Sequence, residues 1–150
     1  MAIIDLEQLK SMSGALIGVD PGTKTLGIAV SDVTRLIATP VTTIQRKKFT
    51  QDAQQMFEIF DAKNACAFVI GLPVNMDGSH GPRTQSVRDF VTNLTKIRDV
   101  PVFLWDERLS SMAVERTMIE GDLSRKKRAE KIDKMAAAYI LQGVLDRMRI

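Results

Sequence analysis

The stretch that decides the fold is residues 14–32, GALIGVDPGTKTLGIAVSD. Its first part, residues 15–20, is a compact run rich in β-branched side chains, and the turn PGTK at 21–24 closes it. In residues 25–32 the larger apolar side chains occupy alternate positions, which is the period of a β-strand. Two strands joined by so short a turn predict an antiparallel hairpin.

The remainder of the chain changes from strand patterns to helix patterns and back. A third strand is predicted close behind the hairpin, so that three strands form an antiparallel meander. The later elements are predicted as strands at 39–45, 67–71 and 102–105, and helices at 49–60, 87–97, 110–121 and 132–143. Because helices connect strands one, four and five, these strands are expected to be parallel. The fold class is therefore α/β, with a mixed five-stranded sheet of order 3-2-1-4-5 and helices packed on it.

The length of 150 residues fits one domain. Residues 14–150 are predicted to form it as a single unit. Residues 1–13 are interpreted as a leader, which is expected to be a loose helical turn or disordered. An apolar fraction of 45% and a charged fraction of 26% are ordinary for a globular protein.

Three acidic residues are placed where they could share a site. Asp20 ends the first strand, Glu107 follows the fifth strand, and Asp133 opens the last helix. Taken singly, each is explained by a turn or a helix cap. Parallel strands bring their carboxyl ends to one edge of the sheet, however, and that edge is where open α/β sheets bind ligands. The joint placement therefore favours a shared acidic site.

Carboxylates that converge in one cleft repel one another unless a cation neutralises them. Hard oxygen ligands suit Mg²⁺ or Mn²⁺ better than zinc. Two such ions, about 3.5–4 Å apart, can activate a water molecule and stabilise the leaving oxygen of a phosphodiester. The acids thus predict a site for two divalent metal ions.

Basic residues near this edge are candidates for contact with phosphate. The net charge of +3 permits nucleic-acid binding without demonstrating it. On charge alone, the runs at 46–48 (RKK) and 125–128 (RKKR) are interpreted as solvated surface. Beside an acidic metal site, the second run is better explained as a loop that contacts phosphates. The predicted substrate-binding residues are Lys24, Asn75, Arg83, Arg125, Lys126, Lys127 and Arg128.

Four segments together resemble a known family, the YqgF family. Residues 18–24 (GVDPGTK) with 27–32 (GIAVSD) resemble its opening hairpin, and 71–79 (GLPVNMDGS) with 81–83 (GPR) resemble its central motif. The last two motifs are matched by 106–111 (DERLSS) and by Asp133 with 136–141 (AAAYIL). The match covers nearly everything from residue 14 onward. One departure is Thr25, where the family often has a basic residue.

The resemblance implies a ribonuclease-H-like fold and a metal-dependent nuclease, a hydrolase acting on phosphodiester bonds. It carries the catalytic and metal-binding roles onto Asp20, Glu107 and Asp133. It also implies 5′ maturation of pre-16S ribosomal RNA as the task, with RNA favoured over DNA and pre-ribosomal particles as partners. The alternative within the same chemistry is a DNA endonuclease similar to Holliday junction resolvases.

Two further classes compete with a nuclease. The segment DPGT at 20–23 also resembles the phosphate-binding hairpin of actin-like and sugar-kinase-like ATPases, but those proteins need two related domains, and this chain is too short for them. The second competitor is a non-catalytic module that binds RNA or the ribosome. Three acids in place argue against it, because unneutralised negative charge would hinder the binding of a polyanion.

The chain is expected to act in the cytoplasm. The only cysteine, Cys66, cannot form an internal disulfide, which agrees with a reducing compartment. The first residues lack the basic and apolar regions of a secretory signal. No apolar run reaches the roughly 20 residues that a membrane helix requires, so no membrane partner is expected.

Overall fold

A five-stranded sheet of order β3-β2-β1-β4-β5 forms the centre of the protein. The computed structural model describes residues 2–75, 77–106 and 125–149. Within them, β1 pairs antiparallel with β2 and β2 with β3, while β4 runs parallel to both β1 and β5. The predicted strand order and directions are therefore confirmed. The strands are β1 (Ala15–Pro21), β2 (Thr25–Ser31), β3 (Ala38–Gln45), β4 (Ala65–Leu72) and β5 (Val102–Asp106).

Four described helices cover the two faces of the sheet. They are α1 (Leu6–Ser11), α2 (Phe49–Ala62), α3 (Pro82–Ile97) and α4 (Arg125–Met148). Alternate side chains of each strand enter opposite cores. One core packs Val19, Ile28 and Phe68 against α2 and α3, and the other packs Leu16 and Ala67 against α1 and α4. Among the described residues, no helix has the length and apolarity that crossing a membrane requires.

Two helices begin earlier than the apolar periodicity predicts. The start of α3 is set by Gly81 as N-cap and Pro82 in the first turn, where the missing N–H of proline costs nothing. The start of α4 at Arg125 places residues 125–128 in helical backbone, so the prediction of a loop there is wrong. Arg, Lys, Ala and Glu all favour helix, although they show no apolar stripe. The helix predicted at 110–121 lies outside the described residues.

The leader is an ordered part of the protein rather than a disordered extension. Asp5 and Gln8 form a capping box: the N–H of Gln8 donates to Asp5 Oδ1 at 2.8 Å, and the N–H of Asp5 donates to Gln8 Oε1 at 2.9 Å. Leu9 is fully buried. The N–H of Val102 donates to Ala2 O at 2.7 Å, and the N–H of Ile4 donates to Val102 O at 2.9 Å. The leader thus pairs with the first residue of β5.

The loop between β2 and β3 fixes the leader from the other side. Arg35, with φ 58°, donates from Nη1 to Leu9 O at 2.9 Å and from Nε to Gly14 O at 3.0 Å. Its Nη2 lies 3.1 Å from the sulfur of the half-buried Cys66. The loop is held by Asp32, whose carboxylate accepts hydrogen bonds from the hydroxyl of Thr34 and the backbone N–H of Ile37, which lower its pKa to about 2.

Candidate active site

Asp20 and Asp133 lie next to each other on the face of the sheet that α4 covers. Asp20 is the direct partner of Gly27 across the β1–β2 ladder, so both residues point to the same face. A Cβ atom built on Gly27 would lie 1.9 Å from the carbonyl oxygen of Asp133. The backbone of α4 therefore rests on the strand position beside Asp20. The structure brings two of the three predicted acids together.

Small residues allow this close approach. On β1, a Cβ atom on Gly18 would lie 2.9 Å from the carbonyl oxygen of Ala137 in α4. The helix itself presents buried alanines along the line of contact, at positions 136, 137 and 138. With no side chain between helix and strands at these points, the backbone of α4 at Asp133 comes against Gly27, the cross-strand partner of Asp20. Local sequence thus explains why the two acids meet.

Thr25 holds the carboxylate of Asp133. Its Oγ1 donates to Asp133 Oδ2 at 2.6 Å, and both residues are half-buried. Thr25 begins β2 two positions before Gly27, on the same face. Sequence reasoning noted Thr25 only as a departure from a basic residue. The contact to Asp133 joins elements that are distant in the chain, so no local pattern could have revealed it.

Glu107, the third predicted acid, lies outside the described residues, and its part in the site stays a prediction. The strand before it ends at Asp106, paired with Leu72 at the same edge. Trp105 is on the α4 face, because a Cβ atom on Gly143 would lie 3.3 Å from its ring. Within the described ranges, no three His, Cys, Asp or Glu side chains form a group that could hold a metal ion.

Two arginines hold the turn that follows Asp20. Arg83, at the start of α3, donates from Nη2 to Pro21 O at 2.6 Å. Arg46, just after β3, donates from Nη1 to Gly22 O at 2.6 Å. The turn closes on itself through the N–H of Gly22, which donates to Thr25 O at 2.8 Å. The predicted residue Arg83 is therefore at the acidic edge, and Arg46 is a neighbour that the sequence interpretation left as solvated surface.

The other predicted phosphate contacts lie on the same edge or next to it. Lys24 is exposed in the β1–β2 turn. Asn75 organises the loop after β4: its N–H donates to Ser79 O and its side-chain Nδ2 to Ser79 Oγ, both at 3.0 Å. Residues 125–128 form the first turn of α4, about two turns before Asp133, which is roughly 10 Å along the axis. Their side chains lie outside the described part.

Comparison with known proteins decides the family. A sequence model described as "RuvX: Holliday junction resolvase" matches residues 14–147. The chain belongs to the RuvX family. RuvX and YqgF name the same family, so the membership predicted from the four motifs is confirmed.

Relatives of this RuvX-family chain share most of its length. A protein of Paramagnetospirillum magneticum is 60% identical over 131 residues, which are 87% of this chain and 84% of the relative. A protein of Methylocella silvestris is 55% identical over 149 residues, 99% of this chain and 92% of the relative. Both carry the name "Putative pre-16S rRNA nuclease". The second alignment also includes the leader.

Solved structures confirm the fold of this RuvX-family member. Thermus thermophilus RuvC in complex with a Holliday junction has a TM-score of 0.55 at 16% identity, covering 90% of this chain and 96% of RuvC. The yeast mitochondrial resolvase Ydc2 has a TM-score of 0.53 at 10% identity, covering 96% and 85%. The fold is therefore ribonuclease-H-like, as predicted.

The donor set of the RuvX-family site fits a divalent cation. Its two described carboxylates come from different elements and offer hard oxygen ligands, which Mg²⁺ and Mn²⁺ prefer over nitrogen or sulfur. The contact between α4 and Gly27 fixes the backbone that carries one of them, and Thr25 orients its side chain. Such preorganisation lowers the cost of bringing like charges together around a cation.

Proposed function

We propose that the protein is a metal-dependent nuclease that hydrolyses phosphodiester bonds in the 5′ maturation of pre-16S ribosomal RNA in the cytoplasm. The observation that carries the proposal is the meeting of Asp20 and Asp133, which the close packing of α4 on Gly27 produces. Relatives at 60% and 55% identity with "Putative pre-16S rRNA nuclease" as their name support the substrate. Pre-ribosomal particles are then the natural partners.

Asp20, Asp133 and Glu107 would hold the metal, with Mg²⁺ or Mn²⁺ as one or two bound ions. When bound, the ions supply Lewis-acid polarisation of the phosphodiester and a water molecule of lowered pKa. For Glu107, the proposal rests on its place in the sequence directly after β5, whose last residue Asp106 pairs with Leu72 at the end of β4. The protein's own contribution is to keep Asp20 and Asp133 side by side through the packing of α4 on Gly27.

The proposed substrate contacts surround this acidic group. Lys24 in the turn, Arg83 at the start of α3 and Asn75 in the loop after β4 would bind phosphate or ribose next to the cleaved bond. Arg83 is already fixed by Pro21 O, and its planar guanidinium has five donors suited to phosphate oxygens. The residues of the first turn of α4, Arg125, Lys126, Lys127 and Arg128, would extend the contact on the helix side.

The proposal is tested by cleavage assays with three substrates. Purified protein is incubated with a pre-16S precursor RNA, an unrelated single-stranded RNA and a four-way DNA junction, each with Mn²⁺, with Mg²⁺ and with EDTA. We expect cleavage of the precursor RNA near its mature 5′ end only when metal is present. Cleavage of the junction alone would favour the DNA alternative, and metal-independent binding without any cleavage would favour a non-catalytic module.

The contact between Thr25 and Asp133 leads to a prediction about metal affinity. Thr25→Val removes the hydroxyl that donates to Asp133 Oδ2 but keeps the shape of the side chain. Loss of such an orienting partner typically costs 10–100-fold in metal affinity, so we expect Mn²⁺ to bind about 10-fold more weakly. Isothermal titration calorimetry measures this without a substrate. Thr25→Ser keeps the hydroxyl and serves as the control; equal Mn²⁺ affinity in both variants would show that Thr25 does not orient a ligand.

A further inference from the structure

Three consecutive basic residues, Arg46, Lys47 and Lys48, follow the end of β3 and are called the outer basic segment here. The sequence alone gives no reason to assign them a role. In the structure, β3 ends at the same edge of the sheet as β1, because Thr25 pairs with Gln45 while Asp20 pairs with Gly27. The segment therefore begins at the edge that carries Asp20.

The distance from the acids to this segment is short. Two strand spacings separate β1 from β3, which is about 10 Å at about 4.8 Å per spacing. The backbone N–H of Arg46 donates to Lys24 O at 2.9 Å, so the segment is joined directly to the turn after Asp20. At a rise of about 3.4 Å per nucleotide, it lies roughly three nucleotides of a duplex strand from the acidic pair.

The backbone of the segment is fixed while its lysine side chains are exposed. Asp52, only 2% exposed, accepts the N–H of Lys47 at Oδ1, 3.1 Å away, and its own N–H donates to Lys48 O at 3.1 Å. Arg46 is half-buried, with its guanidinium carbon 5.3 Å from the centre of the Phe90 ring. The segment is thus a preorganised basic surface, which reduces the ordering cost of binding.

Three other exposed cations of the described residues are each neutralised by a neighbouring carboxylate. Lys10, Arg98 and Arg149 each form an ion pair with a carboxylate, Glu7, Asp61 and Asp146 respectively. Among the described side chains of residues 2–75, 77–106 and 132–149, no ion pair involves Arg46, Lys47 or Lys48. A run of three cations with no ion-pair partner in the described part of the chain, beside an acidic site, is complementary to a polyanion that must pass that site.

We propose that the outer basic segment binds the phosphodiester backbone of the substrate strand on the β3 side of the acidic pair. The proposal rests on the proposed function, since it places the strand that the acidic site would cleave. The substrate then runs along the carboxyl edge of the sheet, over the β1–β2 turn and out past the end of β3. Arg46 has two roles, because its guanidinium also donates to Gly22 O and so holds the β1–β2 turn.

The test removes two charges and compares them with two others. Lys47→Gln/Lys48→Gln neutralises the exposed part of the segment and leaves Arg46 and the Asp52 contacts to the backbone in place. Lys63→Gln/Lys96→Gln is the control, since these exposed lysines lie at the carboxyl-terminal ends of α2 and α3, away from the carboxyl edge. Binding of fluorescent single-stranded RNA and of a four-way DNA junction is measured by anisotropy in EDTA, from 50 to 200 mM salt.

Each lost phosphate contact should reduce the salt slope by about 0.7 on single strands and 0.9 on duplex DNA. Over this fourfold salt range, the parent should then lose about sevenfold more affinity for the RNA than the segment variant loses, and about 12-fold more for duplex arms. The control variant should follow the parent. A reduced slope on one substrate only would support the surface for that substrate.

Failure of the inference and failure of the proposed function give different results. If the parent binds and cleaves but the segment variant keeps the parent's slope, or the control loses as much, the outer basic segment is only a solvated surface. If the parent binds neither nucleic acid in EDTA at 50 mM salt, the inference is overturned, because the cations of the segment do not depend on metal; the proposed function is overturned only if cleavage with Mn²⁺ or Mg²⁺ is absent as well. Circular dichroism confirms that each double variant is folded.

Discussion

Asp20→Asn is expected to abolish metal-dependent cleavage, with a loss of at least about 10³-fold, as when an essential catalytic group is removed. The amide keeps the size of the side chain but not its charge, and a divalent cation binds a neutral amide oxygen much more weakly than a carboxylate. Cleavage of the precursor RNA under saturating Mn²⁺ measures the effect. Asp61→Asn is the matched control, because that exposed carboxylate pairs with Arg98 on the far side of the sheet.

The same substitution should not weaken the fold. Asp20 lies beside Asp133, so removing one negative charge relieves repulsion between like charges in the absence of metal. We expect the midpoint of thermal unfolding in EDTA to be unchanged or slightly raised. Undiminished Mn²⁺-dependent cleavage by Asp20→Asn would show that this carboxylate is not a required ligand. A large fall in thermal stability would mean that its role is structural instead.

Gly27→Ala is expected to lower the free energy of unfolding more than any other glycine-to-alanine substitution in the sheet. The new Cβ would lie 1.9 Å from the carbonyl oxygen of Asp133, and backbone cannot yield as a side chain can. Alanine is no worse than glycine within a strand, so a loss must come from the displacement of α4. Forced overpacking costs about 1–3 kcal/mol, and this contact should reach the upper end. Cleavage should also fall, because Asp133 moves with the helix.

Gly143→Ala provides the comparison within the same helix. Its Cβ would meet the ring of Trp105 at 3.3 Å, which a small shift of a side chain relieves, and alanine favours helix by about 1 kcal/mol over glycine. We expect the free energy of unfolding in urea to stay within about 1 kcal/mol of the parent. Equal unfolding free energies for Gly27→Ala and the parent would show that α4 does not rest on β2 as described.

The sheet was predictable because its signals are local. Alternation in residues 25–32 and the short turn before it give the hairpin, and the helix patterns between the later strands give the parallel pairs. The start of α3 was missed because its first turn has no apolar period, although Pro82 after a glycine is a start signal. The capping box of Asp5 and Gln8 is likewise a helix-start signal that the sequence contains, at the beginning of α1.

In the candidate site, too, the residues with local sequence signals were predictable and the contacts between distant elements were not. Asp20 could be chosen because a strand signal ends at it, and Asp133 because a helix face includes it. The contacts that give the site its shape join distant elements: Thr25 to Asp133, Arg83 to Pro21, and Arg46 to Gly22. No periodicity or spacing encodes such pairs, since each depends on how α3, α4 and the end of β3 settle on the sheet.

The seating of α4 on Gly27 has a consequence for how the protein is made. A ribosome delivers a chain from its N-terminus, and local hairpins can form while the rest is still being synthesised. Asp20 would then be in place long before Asp133 has been translated. The acidic pair exists only after α4 has emerged from the ribosome and docked on β2, so any cleavage that depends on the pair must wait until then. Nascent chains, and chains truncated before α4, are accordingly expected not to cleave the ribosomal RNA that surrounds them during synthesis.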